Sequence, residues 1–203
     1  MVKVDYNAKF KQIVENLTQK PKLLLHSCCG PCSSWVLEKV CKNFDVCVVY
    51  YNPNIYPKEE YEKRKSEQTK LLNILNVKFM DCDYNEQEFL SAVCGLESQP
   101  EGGKRCNMCF LLRLEKTACL AKQNGFEYFG TTLTVSPHKN AQIINLIGEN
   151  LENKYGIKYL YSDFKKENGY LNSINLSKKY NLYRQNYCGC RFALENEKIV
   201  KNN

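Results

Sequence analysis

Twelve cysteines in 203 residues limit this chain more than any other feature of its sequence. Seven of them fall into three tight groups: Cys28, Cys29 and Cys32, then Cys106 and Cys109, then Cys188 and Cys190. The groups are separated by 74 residues (32 to 106) and by 79 residues (109 to 188), so only a folded chain brings them together. We predict a fold in which the three groups meet at one pocket and bind metal.

The remaining cysteines are isolated, and we expect them to be small buried apolar residues: Cys41, Cys47, Cys82, Cys94 and Cys119. A chain of this size does not need disulfides to hold its core, and disulfides are rare in the cytosol. The longest aliphatic runs fall far short of the roughly 20 residues that cross a bilayer, and the first residues lack the apolar stretch of a signal peptide. The sequence therefore predicts a cytoplasmic protein without a membrane partner, and it favours metal or redox chemistry.

The size and composition of the chain fit one folded domain. Its 23.6 kDa, with 43% hydrophobic and 25% charged residues, suffice to bury a core and differ from the composition of disordered proteins. We expect residues 1–203 to form a single α/β domain. The net charge of +7 is compatible with a polyanionic partner such as RNA, and equally with a soluble protein of Lys-rich composition.

Short apolar runs alternate with longer helical patterns along most of the chain. The predicted strands are 22–26, 46–51, 77–80, 127–132 and 157–161. The predicted helices are 5–19 in an N-terminal helical segment (1–20), 31–43, 57–75, 86–94, 107–124 and 138–154, with a mostly helical C-terminal segment (162–203) that supplies the last cysteine pair. This alternation predicts a Rossmann-like α/β fold, a parallel sheet with flanking helices. The site of such a sheet lies beyond the carboxyl ends of its strands, where the first cysteine group and Thr131 fall.

The number of grouped cysteines bears on which metal the chain binds. Four thiolates would suffice for structural zinc, and seven exceed that need. The only two histidines, His26 and His138, are not spaced as a zinc-finger pair. Iron–sulfur clusters take four Cys thiolates, and a second metal position is the simplest use for the other three. An iron–sulfur site is favoured, and a zinc-stabilised RNA-binding module without catalysis, a dithiol redox site and an iron–sulfur electron-transfer protein remain alternatives.

Six stretches, in order from residue 25 to residue 190, resemble one family, the cobalamin-independent epoxyqueuosine reductases of the QueH class. They are Leu25–Cys32, Tyr51–Pro57 with Glu60, Tyr61 and Arg64, Arg105–Phe110 with Arg113, Thr131–Leu133 with Ser136–Lys139, Asp163–Lys166, and Tyr183–Cys190. The resemblance implies reduction of epoxyqueuosine to queuosine at the wobble position of tRNA, the last step of queuosine biosynthesis. It also implies a fold related to the adenine nucleotide α-hydrolases.

The same resemblance implies the cofactors and partners. The family is described with a 4Fe–4S cluster next to a separate cysteine-bound iron, and the grouped cysteines of this chain would be their ligands. At the position of Cys32 some members look to have Asp, which also binds iron. The partners would be tRNA carrying epoxyqueuosine and an unidentified electron donor. Arg105 and Arg113, which flank the second cysteine group, would neutralise the negative charge of the cluster.

Removing an epoxide oxygen requires protons, and the candidate donors are Tyr51, His138 and a bound water. An enzyme that modifies RNA must also hold an extruded base and its flanking phosphates, which calls for aromatic and basic side chains. The candidate substrate contacts are Tyr51, Asn52, Tyr56, Tyr61, Arg64, Thr131, Lys165 and Arg184. His26 is expected to be structural. Because neighbouring side chains of an extended chain diverge, we expect Cys28 and Cys29 to point to opposite sides and to serve two metal centres.

Overall fold

In the computed structural model, which describes residues 3–194, the core is a sheet of five parallel strands in the order β3-β2-β1-β4-β5. The strands are β1 (Lys22–His26), β2 (Asp45–Tyr50), β3 (Lys78–Asp81), β4 (Tyr128–Thr131) and β5 (Lys158–Tyr159). The chain builds outward from β1 in one direction through β2 and β3, and then in the other through β4 and β5. This reversal opens a crevice between the carboxyl ends of β1 and β4, where such sheets bind their ligands.

Strand β1 forms because an uninterrupted apolar run suits a strand that is covered on both faces. Leu23, Leu24 and Leu25 are completely buried. Leu23 pairs with β2 at Val46 and with β4 at Tyr128, so hydrogen bonds flank β1 on both sides. The predicted strand 22–26 is confirmed residue for residue.

Seven helices in the described part of the chain cover the sheet. They are α1 (Tyr6–Glu15), α2 (Gly30–Val40), α3 (Lys58–Leu75), α4 (Glu86–Ala92), α5 (Lys104–Gln123), α6 (Ala141–Tyr155) and α7 (Gly169–Lys179). One apolar core joins the sheet to α2 and α3, and includes Val36 and Leu71. The other joins the opposite face to α5 and α6, and includes Leu114 and Ile144. The predicted α/β architecture is therefore confirmed.

Some predicted boundaries differ from the structure for local reasons. The first helix ends at Glu15 rather than residue 19, and the fifth strand keeps only two residues. The helix expected from 138 begins at Ala141, because the Asn140 side chain caps it and a 3-10 turn (Leu133–Val135) precedes it. Residues 180–190 are irregular, a helical turn follows at 191–194, and the rest of the C-terminal segment lies outside the described residues.

The isolated cysteines were all expected to be buried, and the structure corrects this in part. Cys47 is buried, whereas Cys94 is exposed because it follows the end of α4, where the chain turns into a surface loop. Cys41, Cys82 and Cys119 are half-buried.

Among residues 3–194, no helix is both long enough and apolar enough to span a membrane.

Candidate metal centre

The first cysteine group lies where β1 turns into α2. Cys29 is the N-cap of the helix, and Pro31 occupies its first turn, where a missing N–H costs nothing. The sulfur atoms of Cys28, Cys29 and Cys32 all lie within 4.8 Å of one another, with Cys28 Sγ 3.9 Å from Cys29 Sγ. The expectation that these neighbours point to opposite sides is wrong, because the chain bends at Cys28 and the alternation of an extended strand does not apply there.

Cys29 is the thiol of this trio with the strongest tendency to ionise. Hydrogen bonds from the thiols of Cys28 and Cys32 hold the pKa of Cys29 well below its ordinary value, against the effect of burial. The side chain of Gln185 also donates a hydrogen bond from Nε2 to Cys29 Sγ, at 3.1 Å. The positive end of α2 adds to this preference for negative charge.

The second cysteine group opens α5. The helix begins at Lys104, so Cys106 and Cys109 fall in its first two turns, one turn apart on the same face. The backbone N–H of Gly102 donates to Cys106 Sγ at 3.2 Å. Cys109 is buried, and this burial raises the pKa of its thiol to about 12.

The third cysteine group lies on an irregular loop that α3 holds in place. Arg64 donates from Nη1 to the carbonyl of Cys188 at 3.2 Å and from Nη2 to the carbonyl of Tyr187 at 3.3 Å. The N–H of Tyr56 donates to the carbonyl of Gly189 at 2.8 Å. Gly189 has φ +97°, and a Cβ there would lie 2.7 Å from Arg64 Nη1, so this position requires glycine.

All three groups meet at two adjoining cavities. A narrow cavity of about 580 Å³, measured with its opening to solvent, is lined by cysteines of the second and third groups: Cys106, Cys109, Cys188 and Cys190. A wider cavity of about 1100 Å³, measured with its opening to solvent, is lined by Cys28, Cys32 and Cys188. His138, Lys139 and Cys188 line both cavities. The structure thus brings the cysteine groups together at the carboxyl ends of β1 and β4.

The cations that face these thiols without a carboxylate partner among residues 3–194 include Arg105, Arg113 and Lys139. Arg113 is buried, and its Nε donates to the carbonyl of Cys109 at 3.0 Å. Desolvation lowers the pKa of Lys139, but the nearby Cys188, Cys28 and Cys32 outweigh it and raise that pKa above its ordinary value. A buried cation requires a compensating negative charge. The thiolates are the anions positioned to supply it.

The structure separates the two side chains proposed as proton donors. His138 is exposed and lines both cavities. Tyr51 is buried, its hydroxyl donates to the carboxylate of Glu88, and its ring lines neither cavity. Burial raises the pKa of Tyr51 far above its ordinary value, and the Glu88 carboxylate raises it further. Of the two, only His138 faces the space where a substrate would enter.

Five predicted substrate contacts are buried within the protein: Tyr51, Asn52, Tyr61, Arg64 and Thr131. Tyr61 packs in an aromatic core, and Arg64 binds the third cysteine loop. The hydroxyl of Thr131 lies 3.1 Å from Nδ1 of His26, which is buried as expected. Burial lowers the pKa of His26 to about 4, so its ring is neutral at physiological pH. Of these buried contacts, Arg64 also lines the wider cavity, and the others support the site from behind.

The remaining predicted contacts lie near the surface. Arg184 lines the wider cavity beside Cys28 and Cys32. Tyr56 and Lys165 line neither cavity. The guanidinium of Arg191 lies 4.2 Å from the Tyr56 ring centroid, and Lys165 pairs with Asp163 at 3.1 Å.

Several residues around the cavities were absent from the predicted site, among them Glu101, Lys139, Tyr170 and Gln185. Lys139 follows His138 directly, and Gln185 lies three residues before the third cysteine group, so their positions in the sequence offered a signal. Tyr170 stands in none of the six stretches, and only the packing of α7 places it here.

Sequence comparison with known proteins identifies one family that matches most of the chain. The family model described as "Epoxyqueuosine reductase QueH" matches residues 23–196. The chain is 43% identical over 202 residues to the epoxyqueuosine reductase QueH of Staphylococcus epidermidis, covering 94% of this chain and 85% of that protein. It is 41% identical over 175 residues to the Thermotoga maritima protein of the same name, covering 85% of this chain and 90% of that one.

A solved structure shows the same fold at low sequence identity. It is the U34-tRNA thiolase NcsA from Methanococcus maripaludis with its [4Fe-4S] cluster. The TM-score is 0.56 at 13% identity, and the match covers 97% of this chain and 71% of the thiolase. The likeness concerns the fold, in line with the expected relation to the adenine nucleotide α-hydrolases.

Proposed function

Because the chain belongs to the epoxyqueuosine reductase QueH family, an oxidoreductase family, we propose that it reduces epoxyqueuosine to queuosine at the wobble position of tRNA, as the last step of queuosine biosynthesis. We place this reaction in the cytoplasm. The observation that carries the proposal is the meeting of three remote cysteine groups at two adjoining cavities beside His138 and Lys139.

The proposed cofactors are a 4Fe–4S cluster and a single iron ion, held by Cys28, Cys29, Cys32, Cys106, Cys109, Cys188 and Cys190. The donor set fits this assignment, because soft thiolates select iron–sulfur clusters and zinc, and a zinc site would leave three of these thiols unused. Arg113 is a buried cation with no carboxylate partner among residues 3–194. Its charge favours an anionic metal cluster at this site over a neutral one. The thiolase with the same fold carries a [4Fe-4S] cluster and acts on tRNA, so this scaffold accommodates both.

Removal of the epoxide oxygen breaks two C–O bonds, forms a C=C bond and releases water, with consumption of two electrons and two protons. When bound by the grouped cysteines, the iron centres would pass on the electrons and would supply a Lewis acid for the epoxide oxygen. His138 donates a proton to the departing oxygen, since it is the proposed donor that faces both cavities. Lys139 balances the negative charge of the thiolates. The electrons come from a separate one-electron carrier.

A metal analysis of the protein tests the cofactor. Anaerobically purified protein is expected to be brown, with broad absorbance near ~400 nm and about five iron atoms per chain. Colourless protein that contains zinc in place of iron would instead support the RNA-binding module without catalysis. Iron in protein that has no effect on tRNA would favour the electron-transfer alternative.

An analysis of cellular tRNA tests the reaction. Cells that lack this protein and have no other epoxyqueuosine reductase should accumulate epoxyqueuosine in place of queuosine. Return of the gene should restore queuosine, and a Cys106→Ser, Cys188→Ser variant should not. Normal queuosine in the deletion strain would reject the proposed reaction.

A further inference from the structure

An exposed aromatic side chain stands at the mouth of the wider cavity. Tyr170, in the first turn of α7, is 38% exposed and lines this cavity together with Cys28 and Cys32. Among residues 3–194 its hydroxyl has no hydrogen-bond partner. Leu171, the next residue, is 54% exposed. Large apolar side chains at the surface, next to a cavity that holds reactive groups, suggest a binding surface.

We propose that Tyr170 and Arg184 form a stacking platform for a nucleobase of the RNA substrate, next to the nucleotide that enters the cavity. This inference rests on the proposed function, because that function makes RNA the substrate. The Arg184 guanidinium carbon lies 5.2 Å from the centroid of the Tyr170 ring, and both side chains line the same cavity. A base stacks on the aromatic ring, and the guanidinium contacts its phosphate or extends the stacked surface.

The platform is fixed relative to the thiols because α7 packs closely on α2. A Cβ at Gly169 would lie 1.8 Å from the carbonyl oxygen of Phe164 and 2.6 Å from Nε1 of Trp35. The indole of Trp35, on α2, donates to that same carbonyl at 3.2 Å. Cys32 lies one turn before Trp35 on α2, so the packing sets the position of Tyr170 relative to the metal site. A rigid aromatic surface loses little entropy on binding.

Charge favours RNA as the occupant. Among residues 3–194, Arg184 has no carboxylate partner, and its one side-chain hydrogen bond is a long one, 3.4 Å from Nη1 to the hydroxyl of Ser177. Lys139 lines the same cavity, in which cations outnumber the one lining carboxylate, Glu101, among the described residues, and the whole chain carries a net charge of +7. A cationic rim around an aromatic ring fits a polyanion with stackable bases.

Binding of labelled tRNA tests the platform without need of turnover. The probe is tRNA from cells that lack this protein, labelled at its 3′ end, and the holoprotein is titrated by fluorescence anisotropy. Tyr170→Ala should weaken binding about tenfold, the lower part of the range for loss of one base stack. Tyr170→Phe should bind like the wild type, because the ring is kept. Leu171→Ala, at a neighbouring exposed position that does not line the cavity, is the matched control and should change affinity less than twofold.

Each outcome separates the platform from the reductase activity. Unchanged affinity of Tyr170→Ala, or an equal loss in Leu171→Ala, would overturn the platform even if the wild type converts epoxyqueuosine normally. A tenfold loss confined to Tyr170→Ala in a protein that lacks reductase activity would support the platform and reject the proposed reaction. Thermal unfolding of each variant checks that the fold is intact, and a misfolded Tyr170→Ala protein is replaced by Tyr170→Leu, which keeps bulk and removes stacking.

Discussion

The Nε2 of Gln185 lies 3.1 Å from the sulfur of Cys29, a residue 156 positions earlier in the chain, and donates a hydrogen bond to it. This bond joins the segment before the third cysteine group to the first group. An N–H donor stabilises negative charge on a metal-bound thiolate and eases the addition of an electron to the centre. If Cys29 binds a redox centre as proposed, Gln185 is placed to set the reduction potential of that centre.

We expect Gln185→Leu to lower that reduction potential by roughly 40 mV, the equivalent of one hydrogen bond of about 1 kcal/mol in a one-electron couple. A redox titration followed by electron paramagnetic resonance measures the change. Asn186→Leu is the control, since Asn186 lines the wider cavity and makes no hydrogen bond to a cysteine among residues 3–194. A fully loaded Gln185→Leu protein with the potential of the wild type would contradict the assignment.

Arg64 should be essential for the third cysteine loop. It is buried, forms an ion pair from Nε to Glu60 at 2.6 Å, and donates to the carbonyls of Tyr187 and Cys188. Arg64→Met removes these bonds and leaves the carboxylate of Glu60 with less compensation, so we expect a loss of about 3 kcal/mol in the free energy of unfolding. Iron content should fall in parallel. Urea denaturation and iron analysis of the purified protein measure the two effects.

Lys65→Met provides the matched control on the same helix. Lys65 pairs with Asp81 at 2.5 Å, and both side chains are partly exposed, so the pair contributes about 0.5 kcal/mol or less. This variant should keep its iron. If Arg64→Met retained iron as well as Lys65→Met does, α3 would not be what positions the third cysteine group.

Tyr61 and Arg64 are both buried, although Arg64 also lines the wider cavity. Tyrosine and arginine residues are interspersed in the segment after β2, as they are in RNA-binding surfaces. This pattern led to the prediction that Tyr61 and Arg64 contact the substrate. A signal against this was present: Tyr61, Arg64, Gln68 and Leu71 recur at helical spacing on one face, and that face is buried. The spacing was hard to weigh because the helix has charged residues on all its other sides.

Strand β1 and the order of the elements were predictable because local apolar pattern determines them. The groups that bear cysteines could be identified for the same reason, from their spacing alone. What the sequence did not show is how distant segments meet. Tyr170 reaches the cavity through the packing of α7 on α2, and this relation has no local pattern in the sequence.

We expect Arg113→Met to stabilise the apoprotein and to lower the reduction potential of the metal-loaded protein. In protein stripped of metal by a chelator, Arg113→Met replaces a buried cation without a carboxylate partner in residues 3–194, and we expect the free energy of unfolding to rise by about 1 to 2 kcal/mol. In the loaded protein the same change removes a positive charge near the cluster, so the reduction potential should fall. Denaturation of the apoprotein and a redox titration of the holoprotein measure both. A loss of stability in the apoprotein, with an unchanged reduction potential in the holoprotein, would mean that Arg113 serves packing alone.

Alanine substitutions at Gly189 and Gly125 separate the cost of backbone strain from the effect of a steric clash with Arg64. Both have positive φ, +97° and +67°, so alanine costs about 1 kcal/mol at either position. A Cβ at Gly125 meets nothing within 4 Å, whereas at Gly189 it would lie 2.7 Å from Nη1 of Arg64. Gly189→Ala should therefore push the guanidinium and the loop apart.

We expect Gly125→Ala to lose stability and keep its full iron content, and Gly189→Ala to lose more stability and most of its iron. Iron and sulfide analysis after anaerobic purification, together with urea denaturation, distinguishes the two variants. Equal iron in both would show that the loop tolerates displacement from Arg64. The position of Cys188 and Cys190 would then depend on their own bonds to metal rather than on the helix that lies behind them.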